Sequence, residues 1–154
     1  MTDMPVVVLA GGLGTRLLEV TGDLMSKVLI PVDGRPFIDY KLRGLARLGV
    51  REVVLLVGHM AEHVRAHVGD GSRFGLSVTC LEDGDSPLGT AGAVARAAPV
   101  LPHAFWLTYG DTFVEAPLTE VEQLLGDGTD AVMTVIENVD RWEPSNVTIS
   151  KGRV

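Results

Sequence analysis

A single cysteine, Cys80, occurs among the 154 residues. No intrachain disulfide can form, and a metal cluster built on several thiolates is excluded. Positive charge is also scarce: 13 Lys and Arg stand against 20 Asp and Glu, a net charge of −7. That balance argues against a broad basic footprint for nucleic acid or for an anionic membrane. An acidic protein that handles phosphates must therefore gather its few cations at one place. Long apolar runs are missing as well, none approaching the length that spans a bilayer. Met1 to Pro5 carries Asp3 and offers no basic segment ahead of an apolar stretch, so a cytoplasmic location is expected. Neither an internal repeat nor a low-complexity linker is present.

What remains is ordinary for a globular chain, 46% hydrophobic and 21% charged, and its length suits one domain able to bury most of its apolar surface. Four short apolar runs, Val6 to Ala10, Val53 to Val57, Ala104 to Leu107 and Ala131 to Ile136, are rich in β-branched or aromatic residues. They lack polar alternation, which suits strands covered on both faces of a parallel sheet. Helical patterns lie between them. Pro36 is placed as a first helical residue, Ile38, Leu42 and Leu45 recur on one face, and Gly49 marks the stop. A second helix is expected over Ala61 to Val68, a third from Ala91 with Thr90 as its N-cap, and a fourth from about Leu118 to Leu125. This alternation predicts an α/β fold, a doubly wound, mostly parallel sheet with helices on both faces.

Glycines fall just after the strands: Gly11-Gly12 after the first, Gly58 after the second, and Gly110-Asp111 after a later one. Ligands of open parallel sheets bind outside the carboxyl ends of the strands, where such loops converge. The first loop reads Leu9-Ala10-Gly11-Gly12-Leu13-Gly14-Thr15-Arg16-Leu17, with Lys27 following. Its glycines allow a sharp turn and a close backbone approach, and their N–H groups can form an anion-binding concavity. Arg16 and Lys27 would supply the cations a triphosphate needs. Neither standard glycine motif fits: the P-loop spacing is absent, and Gly12-Leu13-Gly14 has no glycine three residues later. A tight turn with surface cations is the plain alternative. His59, His63 and His67 are spaced to line one helix face, yet have no carboxylate or cysteine at zinc-motif spacing. With Met60, Val64 and Val68 facing the core, the histidines are expected to form a solvated face.

Leu9 to Leu17 with Lys27 about ten residues on, then Pro87-Leu88-Gly89-Thr90-Ala91-Gly92, then Gly110-Asp111, resembles the sugar-1-phosphate nucleotidyltransferase family. The order of the three motifs makes the resemblance specific, and it runs from about residue 5 to Val154. Within the family it is similar to mannose- and heptose-1-phosphate guanylyltransferases, alongside glucose-1-phosphate thymidylyl- and cytidylyltransferases. Ser26 and Tyr109 depart from it, standing where proline and asparagine are usual, and Ser145 stands for a frequent glycine.

The resemblance implies a Rossmann-like sheet that binds a nucleoside triphosphate on the first loop through Leu9, Ala10, Gly11, Gly12, Gly14 and Thr15. It implies Mg²⁺ held partly by Asp111 beside Gly110, although Asp111 could also be a turn or N-cap residue. Arg16 is assigned to the β- and γ-phosphates and Lys27 to the α-phosphate or the incoming sugar phosphate. Glu82 lies where family members place a base-reading side chain, and Gly89 and Thr90 would line the nucleotide. A carboxylate only accepts hydrogen bonds, which suits the guanine edge or the cytosine amino group, though Glu82 among Asp83 and Asp85 also reads as a solvated loop acid. The expected reaction is guanylyl transfer from GTP to a sugar 1-phosphate. Alternatives are cytidylyl or thymidylyl transfer, or a non-catalytic nucleotide-sensing or assembly module. A sugar phosphate is already ionised near neutral pH and needs no general base. Residues 146–150 read as a strand and Lys151-Gly152-Arg153 as a hairpin turn whose return strand is not written. The chain is thus expected to be a C-terminally incomplete domain that binds nucleotide but is slow or inactive in transfer, with a bare edge favouring a homodimer.

Overall fold

The computed structural model describes residues 2–12, 25–82, 84, 88–113, 115–126, 128–139, 141 and 144–154. Met1–Thr119 forms one compact unit and Glu120–Val154 a second.

In the first unit the β-branched runs become strands that pair in parallel. These are β1 (Val6–Ala10), β4 (Glu52–Val57), β5 (Ser77–Glu82) and β6 (Trp106–Tyr109), in the order β5-β4-β1-β6. Two short strands, β2 (Pro31–Val32) and β3 (Arg35–Pro36), make a separate antiparallel ribbon. The helices are α1 (Phe37–Arg47), α2 (Ala61–Val68), α3 (Gly89–Ala97) and the short α4 (Leu118–Glu122). Strand side chains alternate between faces, so β1 feeds two cores. Val6, Val8 and Ala10 pack with Ile38, Leu42 and Leu45 of α1 and Val64 and Val68 of α2. Val7 packs on the other face with Leu56 and with Ala93 and Ala97 of α3. The doubly wound arrangement therefore follows from a strand with no polar alternation, because both of its faces must be covered.

Local details depart from expectation in physically readable ways. Pro36 is the cap of α1 rather than its first residue, and Gly49 (φ +83°) provides the left-handed stop. Helix α3 begins at Gly89, after Leu88, whose backbone is already helical; Thr90 lies within the helix and makes no capping bond. Helix α4 ends at Glu122, short of Leu125. Strand β5 was not expected. It is an edge strand with exposed Ser77, Thr79 and Glu82 interrupting its apolar residues, and it pairs Glu82 with Val57. Glu82 is consequently the last residue of a strand, not a loop acid.

In the second unit, residues 131–136 are not a strand. Met133 and Ile136 are 58% and 72% exposed, and among the described residues nothing pairs with this run. High β-propensity alone does not make a strand, which needs a partner for its backbone groups. Residues 146–150 likewise form no extended strand, but the turn is present: Ser150 and Arg153 exchange backbone hydrogen bonds of 2.9 and 3.0 Å. Lys151 (φ +52°) and Gly152 (φ +73°) supply its left-handed corner. Among the described residues no helix is long and apolar enough to cross a membrane.

Candidate functional site

The parallel registers bring the carboxyl ends of the four strands level, with Ala10 beside Val57, Val57 beside Glu82, and Leu9 beside Tyr109. The loops that follow meet at one edge. A side chain on Gly58 would place its Cβ 2.8 Å from the Gly11 carbonyl oxygen, so the backbones after β1 and β4 touch. The Gly110 N–H donates to the Leu9 carbonyl at 2.8 Å, and a Cβ there would lie 2.9 Å from Val28 Cγ1. Only glycine permits these approaches. Among the described residues nothing lies within 4 Å of where a Gly12 Cβ would stand.

Val28 belongs to a single 3₁₀ turn, Lys27–Leu29, and its buried side chain packs this turn onto the end of β6. The packing carries Lys27 to Asp111, Nζ to Oδ2 at 2.5 Å, with both side chains roughly one-third exposed (34% and 39%). The hydrogen bond from Lys27 lowers the Asp111 pKa below its ordinary value; burial opposes this, and the lysine charge adds to the lowering. Asp111 is therefore an ionised carboxylate at neutral pH, with a cation beside it and solvent within reach.

Lys41 was not anticipated. It lies in α1, is 4% exposed, and donates to Thr108 Oγ1 and to the Thr112 carbonyl, both at 2.8 Å. Burial lowers its pKa from 10.5 to about 8, and the Asp111 charge partly offsets this. The signal was available: Ile38, Lys41, Leu42 and Leu45 form one helical stripe, and all four are buried. A lysine on an apolar stripe must find acceptors inside.

At the far end of the edge, the Glu82 carboxylate accepts from Arg65 Nη2 at 2.5 Å, and the same guanidinium engages Glu62. The Glu82 hydrogen bond is the main reason the Arg65 pKa is raised. Gly84 (φ +90°) follows, close against the Arg96 guanidinium. Gly89 (φ +69°) and Thr90 open α3 on the exposed surface. Gly14, Thr15 and Arg16 fall outside the described residues. The described edge thus brings together Leu9, Ala10, Gly11, Gly110, Asp111 and Lys27, with Glu82 two strands away.

The histidine row corrects in part. Val64 and Val68 face the core and His63 is exposed, but His67 turns to the buried Asp39, its Nε2 2.6 Å from Oδ1. Arg73 reaches the same carboxylate at 3.2 Å. A buried carboxylate needs partners, and that need draws His67 out of a solvated row. Among the described residues no three His, Cys, Asp or Glu converge as a metal-binding group.

A family model described as nucleotidyl transferase matches residues 5–145. The chain belongs to this family. It is 38% identical over 126 residues to a glucose-1-phosphate thymidylyltransferase of Streptomyces antibioticus, covering 81% of this chain and 35% of that protein. It is 29% identical to a D-glycero-alpha-D-manno-heptose 1-phosphate guanylyltransferase of Campylobacter jejuni, covering 77% of this chain and 52% of that one. Among solved structures, HddC from Yersinia pseudotuberculosis complexed with GMP-PN superposes with a TM-score of 0.70 at 31% identity, covering 79% of this chain and 54% of that one. This nucleotidyl transferase chain therefore spans about a third to about half the length of these relatives, and shares the fold of HddC over the matched part.

Proposed function

We propose that this nucleotidyl transferase chain carries the triphosphate-binding and metal-binding side of a sugar-1-phosphate nucleotidyltransferase, with GTP as the favoured donor. The observation that carries the reading is the Lys27–Asp111 pair at the carboxyl edge of the sheet, beside glycine backbones that leave no room for side chains. A phosphate oxygen of the sugar 1-phosphate attacks the α-phosphorus of the triphosphate. The bond from that phosphorus to the bridging oxygen breaks, and pyrophosphate leaves with the electron pair. No proton needs removal, because the attacking oxygen is already ionised. The task is to hold two polyanions in line and offset their charge.

Lys27 takes the α-phosphate or the incoming sugar phosphate, and Arg16 the β- and γ-phosphates. The backbone of Leu9, Ala10, Gly11, Gly12, Gly14 and Thr15 surrounds the triphosphate. Asp111 is a single hard-oxygen ligand, which fits Mg²⁺ that keeps several waters and takes phosphate oxygens for the rest. Mg²⁺ held by Asp111 would offset charge on the phosphates, with the Lys27 ammonium beside it placed for a phosphate.

Glu82 is assigned to the base. Its carboxylate accepts only, which matches guanine N1–H and N2–H₂, and the Arg65 contact is to Oε1. Gly89 and Thr90 line the same side. GTP preference is supported by this acceptor and by the GMP-PN complex of HddC. Thymidylyl transfer is the second reading, favoured by the higher identity to the Streptomyces antibioticus relative. Incubation with GTP, dTTP, CTP or UTP, Mg²⁺ and a panel of sugar 1-phosphates, followed by mass spectrometry, tests it. A nucleotide sugar formed preferentially from GTP is expected; preference for dTTP would move the assignment to thymidylyl transfer. Absence of Mg²⁺-dependent binding of every triphosphate would overturn the site itself.

A further inference from the structure

Helix α1 touches the Asp111 turn through three residues on one face. Phe37, Lys41 and Gly44 are spaced as successive positions of one helical stripe. Lys41 donates to Thr108 Oγ1 on one side of Gly110-Asp111 and to the Thr112 carbonyl on the other, each at 2.8 Å. Phe113 lies against Gly44, where a Cβ would be 3.2 Å from the ring, and meets Phe37 edge-on at 6.4 Å. The two ends of the segment 108–113 are thereby tied to one rigid helix, while Asp111 between them stays exposed to solvent.

We propose that Lys41 is a positioning residue of this site, fixing through Thr108 and Thr112 the turn that presents the Asp111 carboxylate to the nucleotide-bound metal. The inference rests on the reading of Asp111 as a Mg²⁺ ligand. Lys41 itself is 4% exposed and its ammonium is occupied by protein acceptors, so it touches no substrate. Its chemistry suits the role. An ammonium offers three donors on a compact head and can hold a side-chain oxygen and a carbonyl four residues apart at once. An apolar residue there would fill the stripe but leave both oxygens without a donor. Burial of the ammonium disfavours its charge, so the lysine is a poor choice for packing alone. Gly44 serves the same turn, since a side chain there would push Phe113 away.

The test uses the full chain, GTP, and Mn²⁺ as a paramagnetic stand-in for Mg²⁺. Water proton relaxation reads metal binding, and calorimetry with EDTA present reads GTP binding without metal. Lys41→Met is expected to leave metal-free GTP affinity unchanged within about twofold and to weaken Mn²⁺ binding to the GTP complex about tenfold. Lys41→Arg, which keeps donors, should recover most of that loss. If Lys41→Met fails to fold, Thr108→Val carries the same test, because it removes one acceptor at nearly constant volume; a loss of about threefold in Mn²⁺ affinity is expected. Wild-type Mn²⁺ affinity in Lys41→Met, or in Thr108→Val where that variant is used, alongside weakened binding in Asp111→Asn, would overturn the role of Lys41 alone. Wild-type Mn²⁺ affinity in Asp111→Asn as well would overturn the metal reading of Asp111 and the positioning role with it.

Discussion

Replacing Lys41 by Met makes a quantitative prediction about stability that needs no substrate. In the folded chain the buried ammonium has a pKa lowered from 10.5 to about 8. Below that value both folded and unfolded states carry the proton, and the folded state bears the full penalty of a desolvated charge. As pH rises through 8 the folded lysine loses its proton first, so the unfolded state binds more protons and stability increases with pH. The gain ends near 10.5, where the unfolded lysine also deprotonates. Integrating between about pH 7 and about pH 9 gives roughly 1.4 kcal/mol of added stability, and the full window gives about 3 kcal/mol as an upper bound. Met at this position cannot titrate, so its stability lacks this term. It removes the ammonium donor from Thr108 Oγ1 and the Thr112 carbonyl, a loss of about 1–3 kcal/mol that offsets much of the relief from burying a charge. Near neutral pH the two proteins should therefore be close in stability and should diverge as the solution is made alkaline, the wild type gaining. Urea unfolding of both proteins at several pH values measures the difference, which cancels titrations common to both. Parallel stability curves over this range would refute the account of a desolvated Lys41.

Gly58→Ala drives a Cβ to 2.8 Å from the Gly11 carbonyl oxygen, a backbone atom that cannot swing aside; a loss of about 1–3 kcal/mol is expected in urea unfolding, and an unchanged midpoint would contradict the packing of the two loops. Among the described residues Ser26 Oγ is buried without a hydrogen-bond partner, so Ser26→Ala should stabilise by about 1 kcal/mol, checked by the same titration. Glu82→Gln keeps an acceptor but adds a donor; discrimination for GTP over dTTP should fall by about 1–3 kcal/mol in competition binding, and an unchanged preference would remove Glu82 from base recognition.

The core of this fold was readable because β1 and β4 are continuous apolar runs and α1 and α2 carry clear helical stripes. Strand β5 escaped because an edge strand with one face wet alternates Ser77, Val78 and Thr79 and ends in an acid, which resembles a loop. Residues 131–136 misled in the opposite direction: their composition favours a strand, but composition does not supply a neighbour. At the candidate site, the glycines after the strands and the Gly110-Asp111 pair fall at the carboxyl edge of the sheet, where the backbones approach too closely for a side chain at Gly58 or Gly110. Lys27 could be nominated from its motif, yet its contact with Asp111 depends on Val28 docking against Gly110, a tertiary event. Lys41 lay in plain view on an apolar stripe and was overlooked, since a helical lysine is ordinarily a solvated one. Arg65, which grips Glu82, lies in α2, and its contact depends on that helix packing beside β5, a tertiary event.

The most direct test of triphosphate binding at the Lys27–Asp111 edge is calorimetric titration of GTP with Mg²⁺ into wild-type chain, Lys27→Ala and Asp111→Asn. Saturable GTP binding that strengthens with Mg²⁺ is predicted for the wild type. Lys27→Ala should bind GTP more weakly with or without the metal, and Asp111→Asn should lose the strengthening by Mg²⁺ while remaining folded by circular dichroism. Equal GTP affinity and equal Mg²⁺ dependence in all three proteins would contradict the assignment of this edge as the nucleotide site.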